Sequence, residues 1–310
     1  MKEVCSHMKH IFVINPAAGK YDHSAEFTEK IQKVFAGRPN DYEIYITKCP
    51  GDGERFANER ASTGEELRFY ACGGDGTLNG VVNGLVGHDN AAVTHMPCGS
   101  GNDTVKMFSD SKAFFSLERL LDAEETYFDL IRCNDFYSID ILSVGFDAKV
   151  GTDVARFKKL PCVSGKGAYI LSIAANIVHG LSEHYTVSIN GKTVDADETL
   201  ICVCNGRWYG GGFNPVPDAE PDDGLLDVLM VKKVNLIKAL EAIGHYQKGE
   251  YRRYPELIAH ERCTALTIEC RGQSVVNVDG EARYTQKAEI SIVPGAIRFF
   301  YPRGLTFHCT

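Results

Sequence analysis

Along the first part of the chain, apolar residues fall into two alternating patterns. Residues 10–14, 42–47, 67–72 and 92–96 are short apolar runs of the kind strands use. Between them, residues 25–35, 54–60 and 77–85 carry helical signals. Strand and helix in regular alternation predict a mainly parallel sheet with helices on its faces. After about Cys133 the texture changes. Residues 136–144, 185–189, 193–204, 225–231, 264–269, 274–278, 288–292 and 296–300 all read as strands, with helices at 168–179 and 236–246. Asn190-Gly191, between two of these strands, is a hairpin signal, because a type I′ turn needs positive φ at both positions. A β-rich second part, sandwich or barrel, is expected. The boundaries drawn are an α/β domain over 1–133 and a β-rich domain over 134–296, with the tail 297–310 returning to the first.

Composition narrows the function classes. At 310 residues, 44% hydrophobic and 24% charged, the chain is an ordinary well-cored protein with room for two domains. A net charge of −8 argues against nucleic acid, whose phosphates want a basic face. It leaves room only for local basic patches toward an anionic bilayer. Eleven cysteines are scattered without a C-x-x-C pair, and Cys202 and Cys204 fall on one face of an apolar strand. Buried thiols in a reducing cytoplasm account for them better than zinc does. The apolar stretch 169–181 is interrupted by Ser172, Asn176 and His179, short of the roughly 18–20 residues a spanning helix needs. No transmembrane segment is expected, and the protein is read as cytoplasmic, peripheral to membranes at most.

The chemistry concentrates in glycine-rich loops. Gly73-Gly74-Asp75-Gly76-Thr77 follows a strand and opens a helix that runs on through Leu78 and Asn79. Glycines let the backbone approach a bulky anion, and the amides of a helix start complement its charge. Asp75 cannot touch a phosphate directly; it would work through magnesium or a water. The turn Asn15-Pro16-Ala17-Ala18-Gly19-Lys20 and the loop Gly99-Ser100-Gly101-Asn102-Asp103 end two further strands. In a parallel sheet all three loops lie on the edge where ligands bind. There is no G-x-x-x-x-G-K-[ST], so this is not a P-loop enzyme.

These motifs, in this order, resemble the nucleotide site of the diacylglycerol kinase catalytic-domain family, which includes bacterial lipid kinases and is related to sphingosine and ceramide kinases. The resemblance continues at Pro217-x-Ala219, at Asp223-Gly224-Leu225-Leu226-Asp227-Val228 and at Asp279-Gly280-Glu281. It implies a phosphofructokinase-like, NAD-kinase-like nucleotide domain followed by a β-sandwich domain. It also implies ATP- and Mg²⁺-dependent phosphorylation of a lipid hydroxyl at a membrane surface, with diacylglycerol giving phosphatidic acid as the first choice. By the same resemblance Asn15 to Gly19, Thr47, Gly73 to Asn79, Ser100, Asn102 and Asp103 correspond to the nucleotide site. Asp279 and Glu281 share the catalytic turn with either as the base, Asp75 assists, and Glu220, Asp223 and the Leu225 carbonyl correspond to a structural magnesium site.

Read without the resemblance, Asp279-Gly280-Glu281 is an acidic turn and Glu220 to Asp223 a solvated acidic loop. Two mixed aromatic and basic stretches, 246–254 and 156–160, could touch a membrane. Residues 205–212, with the only tryptophan, read as a mobile loop that lines an acceptor cleft or caps the sandwich. Two rival functions remain. NAD kinases also carry Gly-Gly-Asp-Gly-Thr after a strand, and a silent nucleotide-binding regulator would keep the glycines and lose an acid at 75, 279 or 281. A homodimer is compatible with everything read so far.

Overall fold

In a computed structural model of the chain, residues 8–99, 101–145 and 182–308 are described. Ser100, the 168–179 helix signal and the 156–160 basic stretch lie outside the described residues. The chain divides into two compact units, residues 1–130 with 294–310 and residues 131–293.

Unit 1 is built on a parallel sheet. Its strands are β1 (Lys9–Ile14), β2 (Tyr42–Ile46), β3 (Leu67–Gly73) and β4 (Ala91–Pro97), in the order β4-β3-β1-β2. The helices α1 (Ser24–Val34), α2 (Asp52–Ala61) and α3 (Asp75–Leu85) connect them. Central strands of a parallel sheet are covered on both faces, and β4 is accordingly buried along its length, whereas the edge strand β2 is not. Alignment of β1 with β3 and of β3 with β4 brings Ile14, Cys72 and Met96 level with one another. The loops that follow these three strands therefore leave from one edge of the sheet.

The short helix α4 (Leu117–Leu121) leads into β5 (Ala123–Cys133). The chain later re-enters unit 1 within the long strand β13 (Glu281–Pro302), where Arg298 and Phe299 pair with Ala92 and Val93 of β4. Gly295, at positive φ, donates its amide to buried Asp129 at 2.7 Å. Phe299 then stacks on Phe128, centroids 4.9 Å apart, with Phe108 and Phe307 completing the aromatic cluster.

Unit 2 is antiparallel. It contains β6 (Phe136–Ser138), β7 (Ile141–Gly145), β8 (Glu183–Ile189), β9 (Lys192–Cys204), β10 (Leu226–Lys232), β11 (Ile258–Cys263) and β12 (Ala265–Val278). Two long strands each serve two ladders. Residues 192–198 of β9 pair with β8, while 200–204 pair with β7 and 198–204 with β10. The first half of β12 pairs with β8 and its end with β7. Alternation assigns the two faces to two cores. Ile201, Val203, Val228 and Met230 point into one, with Ile268 and Ile290. Leu200, Cys202, Cys204 and Leu229 point into the other, under the helix α5 (Leu236–Tyr246). The β8–β9 turn has φ of 51° at Asn190 and 73° at Gly191, as the hairpin signal required.

Several sequence expectations are corrected here. The strand read over 136–144 is split, because residues 139 and 140 leave the ladder to meet Asp279. The strand β5, whose mostly apolar stretch 127–131 follows an acidic start, and the strand β11, centred on His260-Glu261-Arg262, were not anticipated. Tyr246, Tyr251 and Tyr254 of the supposed interfacial stretch are buried in the second core. Residues 205–207 are also buried, with the Asn205 and Gly206 amides bonded to the Asp140 carbonyl at 2.9 and 2.7 Å. Cys202 and Cys204 form no disulfide, and their sulfurs lie 3.6 Å apart.

The aromatic cluster sets a stability test. Phe299 has 0% exposure, and Phe299→Ala should cost about 3–5 kcal/mol, read as a lower denaturant midpoint.

Candidate active site

Three loops at one edge of the unit 1 sheet are locked to one another. Asn15, at the end of β1, donates its side-chain amide to Thr77 Oγ1 of α3 at 2.9 Å. Its own Oδ1 accepts from the Ala17 amide at 3.0 Å, which curls the 15–19 turn. Gly19 has φ +85°, and a Cβ there would sit 2.7 Å from the Cys98 carbonyl of the third loop. Between the second and third loops the backbones touch, since a Cβ on Gly99 would lie 2.6 Å from the Gly74 Cα. No side chain is tolerated at that crossing. Thr47, just past β2, bonds through its amide to the Ile14 carbonyl at 2.9 Å and joins the same edge.

Asp75 completes the lock. Its Oδ2 accepts the Asn102 amide at 2.8 Å, and its Oδ1 accepts the Asp103 amide. The carboxylate expected to reach a magnesium ion or a water is here spent on the backbone of the neighbouring loop. Asn102, at φ 52°, turns its side chain back to the Gly99 carbonyl at 2.9 Å. Asp103 pairs with Lys106 at 2.6 Å. Leu78 and Asn79 are buried behind the helix start, so they support the loop from within. Pro16, Ala17, Ala18, Gly19, Gly74, Gly76 and Thr77 form the loop surfaces themselves, with Ala17, Gly19 and Gly76 exposed, while Gly73 is buried at the end of β3.

One supporting residue went unread. His95, fully buried in β4, bonds through Nε2 to the Gly73 carbonyl at 3.1 Å. A carbonyl can only accept, so Nε2 carries the proton. Burial lowers the pKa of His95 and keeps the ring neutral, against the nearby Asp75 charge. A histidine inside an apolar strand gives no sequence signal of such a role.

In unit 2 the turn Asp279-Gly280-Glu281 joins β12 to β13, and its two acids are placed differently. Asp279 takes φ 45°. Its Oδ2 accepts the Ile139 amide at 2.8 Å, and its Oδ1 accepts those of Ile141 and Asp140 at 3.0 and 3.2 Å. Burial pushes this carboxyl up to about 6, while the Ile141, Ile139 and Asp140 amides favour its ionised form. Glu281 keeps 49% of its side chain exposed and has Arg283 Nη2 at 3.1 Å. Glycine between them lets one acid turn to the backbone and the other to solvent. Buried Asp140, not singled out from sequence, flanks this turn with buried Asn205, the first residue of the 205–212 loop read as lining an acceptor cleft or capping the sandwich.

The loop from Glu220 to Leu225 does not fit a resident cation as it stands. Arg207, nearly buried, donates to Glu220 Oε2 at 2.8 Å and to the Ala219 carbonyl at 2.7 Å. Arg262 pairs with Asp223, whose Oδ1 also accepts the Leu225 amide at 3.0 Å. Each carboxylate expected to hold magnesium thus carries a guanidinium, which offsets the field a dication needs.

Comparison with known proteins names the class. Residues 9–133 match the diacylglycerol kinase catalytic domain, and residues 140–301 match the YegS C-terminal NAD kinase beta sandwich-like domain. The chain belongs to the diacylglycerol kinase catalytic-domain family, with an α/β catalytic domain and a YegS-like β-sandwich. It is a lipid kinase of that type, a phosphotransferase in a family that uses ATP. A "Putative lipid kinase" of Staphylococcus carnosus (strain TM300) is 23% identical over 304 residues, 94% of this chain and 96% of the relative. Another, from Staphylococcus epidermidis (strain ATCC 12228 / FDA PCI 1200), is 25% identical over 275 residues, 87% of this chain and 89% of the relative. Among solved structures, a "putative diacylglycerol kinase" from Bacillus anthracis str. Sterne superposes with a TM-score of 0.76 at 23% identity, covering 96% of this chain and 98% of its own. No helix among the described residues is long and apolar enough to cross a membrane.

The lock predicts a binding defect. Asp75→Ala strips the acceptor from two backbone amides, each costing about 1–3 kcal/mol if left unpaired. ATP affinity should fall about tenfold or more by titration calorimetry, and the melting temperature should fall too, because the loop donors are orphaned.

Proposed function

We propose that this kinase transfers the γ-phosphoryl group of ATP to the free hydroxyl of diacylglycerol, giving phosphatidic acid and ADP. The observation that carries the nucleotide half is the mutual locking of three glycine-bearing loops at one sheet edge. The exposed residues Gly19 and Gly76, with the positive end of α3, suit the triphosphate. Magnesium bound to ATP as co-substrate would offset charge on the transferring group.

For the acceptor half, Glu281 is the base. Its exposure supports that role, whereas Asp279 already accepts three backbone amides. The lipid hydroxyl oxygen attacks the γ-phosphorus as its proton passes to Glu281, and the bond from phosphorus to the β–γ bridging oxygen breaks. Asp279 is a positioning residue that pins the 139–141 backbone to the turn. Similarity to a lipid kinase and a diacylglycerol kinase supports a lipid acceptor, and diacylglycerol is the choice among lipid alcohols.

The deciding experiment follows labelled γ-phosphate from Mg·ATP onto diacylglycerol, sphingoid base, phosphatidylglycerol and polyprenol in mixed micelles, with NAD beside them. Labelled phosphatidic acid is expected. Label on another lipid alone replaces the acceptor, label on NAD alone replaces the reaction, and no label with ATP bound leaves a silent nucleotide sensor.

The two acids separate in variants. Glu281→Gln should lower kcat about 10²- to 10⁴-fold with an unchanged melting temperature. Asp279→Ala should lower the melting temperature as well, because it orphans backbone donors. Near-normal turnover in Glu281→Gln would remove it as the base.

A further inference from the structure

A lipid acceptor lives in a bilayer, so some face of the protein must meet one. The helix α5 presents a candidate in unit 2. Its inner side packs Ala242 and Tyr246 into the second core. On its outer side Ile237 is 79% and Leu240 60% exposed, the two most exposed aliphatic side chains among the described residues. Helical spacing places Glu241 and Gly244 on the same side, at i+4 and i+7 from Ile237, and Lys248 follows two residues past the helix end. Two bare aliphatic side chains one turn apart are costly in water unless a partner covers them.

The surrounding charge indicates which partner. From Lys232 to Tyr254 the chain has six basic residues, Lys232, Lys233, Lys238, Lys248, Arg252 and Arg253, against the acids Glu241 and Glu250. The chain as a whole is at −8, so this segment is a basic island on an acidic protein. Lys233 and Arg252 also pair with Asp197 and Asp218, but those lysine and arginine side chains are 65% and 63% exposed, where ion pairs are weak and readily exchanged. Arg253 stays 62% exposed beside Glu250. Lys238 pairs with Glu241 at 3.2 Å, an exposed pair of the same kind. Aliphatic side chains in a segment rich in lysine and arginine match the surface of an anionic bilayer, with the alkyl groups entering between headgroups and the cations meeting phosphates.

We infer that the outer face of α5, led by Ile237 and Leu240 and set in a segment that also carries Lys233, Lys238 and Lys248, docks the protein on anionic lipid bilayers. This rests on the lipid-kinase reading for its purpose, not for its chemistry.

The test uses the full chain and sucrose-loaded vesicles of phosphatidylcholine alone or mixed equally with phosphatidylglycerol. The paired variant Ile237→Ala/Leu240→Ala keeps charge and helix propensity, so it should fold as the wild type does, checked by circular dichroism. Wild-type protein should sediment with the anionic vesicles, less so at high salt, and weakly with phosphatidylcholine alone. The variant should bind the anionic vesicles about tenfold or more weakly. Its turnover of a short-chain diacylglycerol dispersed below its micellar limit should be unchanged, while turnover of vesicle-borne diacylglycerol should fall. Equal vesicle binding by variant and wild type would overturn the inference. So would a wild-type dimer that the variant breaks while vesicle binding persists, since the face would then be a self-interface. Variant-sensitive vesicle binding without phosphoryl transfer to any lipid would uphold docking and remove the kinase reading alone.

Discussion

The contact on which the candidate site depends is that between the Asp75 carboxylate and the backbone amides of Asn102 and Asp103. Loops at a sheet edge have many conformations, and fixing each residue costs about 1–2 kcal/mol in backbone entropy. A charged acceptor bonded to two consecutive amides is among the stronger constraints a short side chain can impose. It holds the third loop against the second, and the Gly74–Gly99 approach removes the space in which they could slide. Asn15, bonded to Thr77, ties in the first loop. The amides are thereby organised before any phosphate arrives, so less ordering remains to oppose binding.

The same device recurs in unit 2. Asp279 stands in a glycine-bearing turn and gives both oxygens to backbone amides of another segment, as Asp75 does in unit 1. In each case the aspartate is short and placed where its arm just reaches the backbone. Glu281, two residues on, is left half-exposed. Arg207 and Arg262 treat the acidic 220–225 loop in a related way, meeting carboxylates with guanidinium groups. Much of the acidic motif inventory of this chain thus builds loops, and fewer carboxylates are free to act on a substrate.

The division between readable and unreadable follows the range of the forces involved. Period-two and helical patterns report which faces are buried, and they were enough for an α/β first part and a β-rich second. They missed β5, whose Ala123-Glu124-Glu125 start has no strand character, and β11, whose centre is His260-Glu261-Arg262. They also broke β13 at Pro294-Gly295, where the strand in fact continues with the Gly295 amide held by Asp129. Edge positions and bends satisfied by a distant carboxylate leave no local pattern.

The sequence by itself determined the class of fold, the family and the loops in which glycines and acids gather. Those depend on the order of residues and on local periodicity. Which oxygen meets which amide was decided only in three dimensions, because Asp75 finds Asn102 and Asp103 from a separate loop and Asp279 finds Ile139 and Ile141 from the far end of the unit 2 sequence. The same holds for His95 beneath Gly73, for the arginines on Glu220 and Asp223, and for the bare outer face of α5. A carboxylate reads the same in one dimension whether it will hold a backbone, a cation or a proton. Its neighbours in the folded chain choose among these, through hydrogen bonds and burial that no local stretch encodes.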